Sequence, residues 1–241
     1  MALDENESNR TGLIKKLFYM NKNFNLNDVG IVIQGPTNNY KDILSNIDKD
    51  FSYVWSTWQD EPIENIKEIS KEIPILLNDK PEFSGFKNIN MQCASTEAGI
   101  RAIKKPWIIK VRGDLLWINQ KNLIETVFNK MIEENSWCSY LNYKPDVQEM
   151  HDFITFSSYD YALDLWSYRQ DRDNFNSPET QLCHHIMNKF SLSYEEMVNK
   201  MSFINILLER GILDIYCVKY KCFMSENANF PNGIGEPFPR K

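Results

Sequence analysis

The sequence predicts an α/β fold, a single domain whose mostly parallel central sheet is flanked by helices. Three observations lead there. Short apolar runs rich in β-branched and aromatic residues recur through the first half, at 29–36, 53–58, 73–77 and 107–111. Stretches with helical spacing separate them, at 40–47, 63–69 and 88–103. Strands alternating with helices build βαβ units and hence a parallel sheet. The third is the run 107–111, apolar except for Lys110, the pattern of a strand covered on both faces.

In chain order, residues 1–26 are polar apart from a modest apolar patch at 13–20 and read as an N-terminal tail or helix. The domain is expected over 27–224. Its first strand ends at Gln34-Gly35-Pro36, where Gly-Pro makes a turn. Ile43, Leu44 and Ile47 then share one helix side, and Lys105-Pro106 leads out of the helix at 88–103 into the fourth strand. The second half is less regular. It reads as a helix at 123–132, strands at 137–141 and 153–156, and a helix at 159–168. A charged, Asn-rich loop at 169–176 follows, then a helix opened by Ser177-Pro178-Glu179. Residues 197–208 are expected to be helical and 212–224 a last strand, with 225–241 a tail or lid. No internal repeat or heptad run is present.

Composition narrows the classes of function. A formal charge of −6 provides no overall basic field for nucleic acid. The five cysteines are scattered, odd in number and without a CxxC pair, which suits a reducing, cytoplasmic setting. No apolar run approaches the length that spans a bilayer. GxGxxG and GxxxxGK[ST] are both missing, so neither a dinucleotide site nor a P-loop is indicated.

Ligands of open α/β sheets sit beyond the carboxyl ends of the strands. Lys110, Arg112 and Asp114 fall at such an end, and alternate residues of an extended chain share a face. Two cations and a carboxylate there suit a diphosphate with Mg2+ or Mn2+, because Lys and Arg neutralise phosphate and Asp supplies a hard oxygen. A salt-bridge cluster at a strand end would have the same composition. Gly35 would let a nucleotide approach the backbone, although a tight turn needs the same residues. Ser56 and Thr57 could hold ribose or base and Trp58 could stack on a ring, while core packing is the commoner use of a tryptophan. Asn90 and Gln92 open a helix, whose free N–H groups and positive dipole favour an acceptor; capping by Asn90 is the plainer alternative. The small residues Ala94, Ala98 and Gly99 would let that helix lie close to the sheet.

In this order, Ile31-Val32-Ile33-Gln34-Gly35-Pro36, Ser56-Thr57-Trp58, Asn90-x-Gln92-x-x-Ser95-Thr96-x-x-Gly99 and Lys110-x-Arg112-x-Asp114 resemble WavE-type lipopolysaccharide-synthesis proteins, glycosyltransferases with a GT-A-like fold. His151-Asp152-Phe153, Leu165-Trp166 and Ser177-Pro178-Glu179 resemble the later part of that family, and the likeness runs over 29–185. It implies a nucleotide-sugar donor and a glycan acceptor of lipopolysaccharide, capsule or glycoprotein type. Gln34, Gly35, Pro36, Ser56, Thr57, Trp58, Asn90, Gln92, Ser95, Lys110 and Arg112 become the expected donor-binding residues. Asp114 stands for the metal-contacting acid of the family's DxD motif, with Mn2+ or Mg2+ as the ion. Arg112 occupies the place of the first acid, and an arginine can take over part of the ion's work on a diphosphate.

Glu179 and Asp152 are rival carboxylates for the acceptor, with Arg112 the catalytic cation. Ser177, Pro178 and Glu179 also make a complete helix start without any substrate. His184 and His185 would point about 100° apart on a helix, which does not suit one shared ion. A catalytically inactive glycan- or nucleotide-binding module on the same fold is the alternative reading.

Overall fold

The computed structural model describes residues 24–117, 120–140, 143–144, 149–150, 152–171, 174–203, 215–217 and 222–223. Of the N-terminal segment expected over 1–26, residues 1–23 lie outside the described residues, as do 225–241 and His151. The first half follows the expected alternation: β1 (Val29–Gln34), α1 (Tyr40–Leu44), β2 (Ser52–Trp58), α2 (Ile63–Ser70), β3 (Ile75–Asn78), α3 (Ile89–Ile103) and β4 (Trp107–Arg112). Then come β5 (Leu115–Trp117), α4 (Gln120–Glu133), β6 (Cys138–Tyr140), β7 (Tyr143–Lys144), β8 (Glu149–Met150) and β9 (Ile154–Ser158). The described chain closes with α5 (Tyr159–Trp166), α6 (Pro178–Phe190), α7 (Tyr194–Val198), β10 (Met201–Phe203), β11 (Ile215–Cys217) and β12 (Cys222–Phe223).

Among the described residues the central sheet has seven strands in the order β10-β6-β9-β4-β1-β2-β3. The block β3-β2-β1-β4 is parallel throughout, and β9 runs antiparallel between β4 and β6. The chain leaves β1 toward β2 and β3, then returns through α3 to β4 on the other side of β1. The strand order therefore reverses between β1 and β4, where doubly wound sheets hold their ligands.

Helices on both faces explain the uninterrupted apolar strands. Ile31, Ile33, Trp55, Ile109 and Val111 face one layer with Leu123, Val127, Phe128 and Met131 of α4. Val32, Val54 and Ile108 face the other, with Ile89, Cys93 and Ile100 of α3 and Tyr161, Leu165 and Trp166 of α5. Gly99 is the close-contact point of α3. A Cβ there would meet Val32 Cγ1 at 2.5 Å and Ser56 Cβ at 3.1 Å. The neighbouring Ala94 and Ala98 are only half-buried. Gly99→Val should therefore lower stability by about 1–3 kcal/mol, because Val32 is β-branched and has no rotamer to retreat into. A urea midpoint equal to wild type would show that α3 can lift off the sheet without loss.

Two expectations for the late chain fail. Of the helix expected over 197–208, residues 204–208 lie outside the described residues; the described helix ends at Val198, and Met201–Phe203 is a strand paired in parallel with β6. The Trp137 N–H also bonds to the Lys200 carbonyl at 2.7 Å. A short apolar run fits either element, and a free strand edge at β6 decided this one. Within the single strand expected over 212–224, the described residues 215–217 and 222–223 form the antiparallel pair β11–β12, with β11 also paired to β5; the remaining residues of that range lie outside the described ones.

Candidate functional site

Two glycines join the carboxyl ends of β1 and β4. Gly35 has φ +117°, a conformation that side chains oppose, and its N–H bonds to the Ser56 carbonyl at 3.2 Å. The Gly113 N–H bonds to the Gln34 carbonyl at 2.8 Å, and a Cβ on Gly113 would lie 3.0 Å from the Pro36 carbonyl oxygen. From below, the Trp55 indole donates to the Gly35 carbonyl at 3.0 Å. Gln34-Gly35-Pro36 and Arg112-Gly113-Asp114 thus meet at the switch point. Pro36 is exposed. The Gln34 side chain is buried, 9% exposed, and its amide has no hydrogen-bond partner among the described residues.

Gln34 pairs with Ser56 on one side and Arg112 on the other. Parallel register puts these three side chains on the same face of the rim. Arg112 lies with its guanidinium 4.5 Å from the Phe153 ring centre. It grips Asp114 with both arms, Nε to Oδ1 at 3.0 Å and Nη2 to Oδ2 at 2.5 Å. Asp114 sits beyond the strand in the Gly113 turn, so the alternation that was expected to align it with Lys110 no longer applies.

Several expected donor contacts are instead braces. Lys110 is fully buried beneath the rim; its Nζ donates to the Asp152 carbonyl at 2.5 Å and lies 4.6 Å from the Trp166 ring centre. Burial pushes its pKa down to about 8, against the pull of the Asp152 carboxylate. It does not emerge beside Arg112, because helices α3 and α5 cover this face of β4. Ser56 Oγ donates to the Ser95 carbonyl at 2.6 Å and accepts from Asn78 at 2.9 Å, while Ser95 Oγ bonds back to the Met91 carbonyl at 3.0 Å. Thr57 is completely buried, its Oγ1 unpartnered among the described residues, and Trp58 is 5% exposed, too little for a stacking platform.

Asn90 is neither a cap nor free for a ligand. Its amide donates to the Phe83 and Gln170 carbonyls at 3.2 and 3.3 Å, and its Oδ1 accepts the Gln170 N–H at 2.6 Å. It ties together the loops entering α3 and leaving α5. Asn88 is the α3 N-cap, with left-handed backbone and no side-chain cap bond.

Gln92 is half-buried and donates to Asp152 Oδ2. Asp152 is itself buried, and its Oδ1 has no partner among the described residues. Glu179 is half-buried in the first turn of α6, whose N-cap Ser177 accepts from the Thr180 N–H at 3.2 Å. The α6 helix lies against β8, just before Asp152 in the chain. His185 has a structural place: Nε2 bonds to the Asp164 carbonyl at 2.8 Å, the ring packs on Tyr168, and burial lowers its pKa.

Sequence reading missed the scaffold of the β1 turn. The Thr37 N–H and Oγ1 both donate to Glu61, at 2.9 and 2.6 Å, and Asn65 donates to Thr37 Oγ1 at 3.0 Å. These are long-range pairs with no local spacing to reveal them. As a cation centre the rim is poor in its present arrangement. No group of three or more His, Cys, Asp or Glu gathers among the described residues, and both Asp114 oxygens are engaged by Arg112. Each Asp114 oxygen keeps a further lone pair, so an ion bound there would share the carboxylate with Arg112.

No family model matches the chain, and no curated protein matches it. Among solved structures it is similar to a cytidylyltransferase from Leptospira borgpetersenii serovar Hardjo-bovis (strain JB197), with 12% identity and a TM-score of 0.42, over 73% of this chain and 75% of that one. It is also similar to Staphylococcus aureus TarS 1–349 in complex with UDP, with 9% identity and a TM-score of 0.44, over 72% of this chain and 57% of that one. Likeness at this level leaves the reading of the site to its own residues.

Proposed function

We propose that the chain is a nucleotide-sugar-dependent glycosyltransferase of GT-A-like, WavE-like type, which moves a sugar from a nucleoside-diphosphate donor to a glycan acceptor in polysaccharide synthesis. The observation that carries the reading is the junction of Gln34-Gly35 with Arg112-Gly113-Asp114 across the β1–β4 switch point. There an unpartnered amide, a close-approach backbone and a guanidinium share one rim. In transfer, the bond from the anomeric carbon to the diphosphate oxygen breaks and its electron pair leaves with the diphosphate. Arg112 would stabilise that charge. The acceptor oxygen bonds to the anomeric carbon as its proton passes to a carboxylate, with Asp152 and Glu179 the candidates. No helix among the described residues is long and apolar enough to cross a membrane; a cytoplasmic setting is part of the proposal.

The expected divalent ion, Mn2+ or Mg2+, enters as a test on Asp114. Nucleoside diphosphates and nucleotide sugars are screened for thermal stabilisation with and without Mn2+, in wild type and Asp114→Asn. A diphosphate that raises the midpoint, and a nucleotide sugar consumed only with a glycan acceptor present, are expected. If Asp114 holds the ion, the variant loses the manganese effect and transfer drops by orders of magnitude. If it serves Arg112 alone, manganese acts equally on both proteins and the fold loses about 1–3 kcal/mol. The reading fails if no nucleotide or nucleotide sugar stabilises wild type. The closed Arg112–Asp114 pair favours one other reading, a binding module without turnover. That version predicts stabilisation with no donor consumed.

A further inference from the structure

Beneath Arg112 lies a buried arrangement that handling a diphosphate does not require. The Nζ of Lys110 is bonded to the peptide carbonyl of Asp152. One residue on, the Phe153 carbonyl accepts the Arg112 N–H at 3.0 Å, and the Phe153 ring carries the Arg112 guanidinium. Two successive peptides entering β9 are therefore fastened to β4. The outcome is a fixed carboxylate. Asp152 Oδ2 takes the Gln92 amide, and Oδ1 is left buried with no partner among the described residues. An unpaired carboxylate oxygen inside a protein is costly, and one held in place by a buried cation calls for a donor.

We propose, on the glycosyltransferase reading above, that Lys110 is a positioning residue, pinning the Asp152 peptide to β4 so that Asp152 Oδ1 receives a sugar hydroxyl. A hydroxyl fits because a single carboxylate oxygen is an acceptor for one O–H donor. A cation would need further ligands, and no such group gathers among the described residues. The donor sugar and the acceptor glycan both carry this chemistry, and the experiment has an arm for each.

Wild type, Asp152→Asn, Lys110→Met and the double variant are compared, with folding checked by circular dichroism. Affinity for the nucleotide sugar, affinity for the free nucleoside diphosphate and KM for the acceptor are measured. The two single variants should weaken either nucleotide-sugar affinity, for a donor hydroxyl, or raise acceptor KM, for an acceptor hydroxyl. The change expected is about tenfold to a hundredfold, the size of a lost hydrogen bond to a charged group. Affinity for the free diphosphate should stay at its wild-type value. The double variant should be no worse than Asp152→Asn, because Lys110 acts through Asp152.

The inference is overturned if folded Asp152→Asn keeps every sugar-dependent constant, since Oδ1 then holds a structural water only. It is equally overturned if Lys110→Met adds its full loss on top of Asp152→Asn. Should Lys110→Met not fold, Gln92→Leu removes the other hold on the carboxylate from a half-buried position and must show the same sugar-specific loss. A wild type that binds neither nucleotide nor nucleotide sugar brings down the glycosyltransferase reading and this inference with it. Wild-type binding with unaltered variants brings down the inference alone.

Discussion

Arg112→Met should cut sugar transfer by about 10²–10³-fold and leave a folded domain, the usual cost of removing a charge-stabilising donor from a transition state. Arg112 is the cation at the switch point; Lys110, the other basic residue of β4, is sealed beneath it. Methionine keeps much of the packing on Phe153 but leaves Asp114 as a partly buried carboxylate without its partner, facing the expected diphosphate. Affinity for a nucleoside diphosphate should therefore fall as well. Removing Asp114 too should recover part of that affinity, so Arg112→Met/Asp114→Asn should bind the diphosphate better than Arg112→Met. Arg112→Lys should fall between the two extremes, since an ammonium keeps the charge but not the two-armed geometry. Steady-state transfer at saturating donor and calorimetric titration of the diphosphate measure both effects. Transfer within threefold of wild type in Arg112→Met would move the catalytic charge elsewhere.

The parallel half of the fold was legible because its signals are local. Apolar runs, the helical spacing between them and the Gly35-Pro36 turn place β1, β2, β3 and β4 within a few residues. That β1 and β4 lie side by side, which makes their junction the switch point, came only from the sheet pairing. What could not be read was which polar side chains reach the rim. Ser56, Ser95 and Asn90 have the residue types of ligand contacts, yet each has its hydrogen bonds taken by the protein. Ser56 and Asn90 are held from other elements, by the Ser95 carbonyl, Asn78 and Gln170, and Ser95 by the Met91 carbonyl of its own helix. Lys110 shows the same limit. Alternation places it correctly on the face of Arg112, but only the packing of α3 and α5 makes that face interior at one position and open two residues later. The late chain failed for a different reason. Met201–Phe203 carries no periodicity of its own, and a strand edge elsewhere determined its structure.

Lys110 also leads to a stability measurement whose sign runs against habit. Its pKa falls from 10.5 to about 8, chiefly because burial disfavours the charged form. Below pH 8 the lysine is protonated folded or unfolded, and the folded state bears the whole cost of the buried charge. Between pH 8 and 10.5 the unfolded chain holds a proton that the folded protein has released, so this group makes stability rise with pH. Above 10.5 the cost is gone. A shift of this size corresponds to about 3 kcal/mol at neutral pH, and losing the bond to the Asp152 carbonyl returns about 1 kcal/mol of it. Lys110→Met should therefore be more stable than wild type at pH 7 by about 1–3 kcal/mol, with the difference closing by pH 10. The thiols of Cys93 and Cys183, pushed up to about 12 by burial, act in the opposite sense. They keep the folded protein protonated where the unfolded chain ionises, and so lower stability above pH 9. Cys183 is the same in both proteins and drops out of the difference between the two urea curves, whereas Cys93, whose thiol the Lys110 charge pulls down, still contributes to it above pH 9. A variant less stable than wild type at pH 7, by a margin that stays constant up to pH 10, would mean that the buried charge is fully compensated.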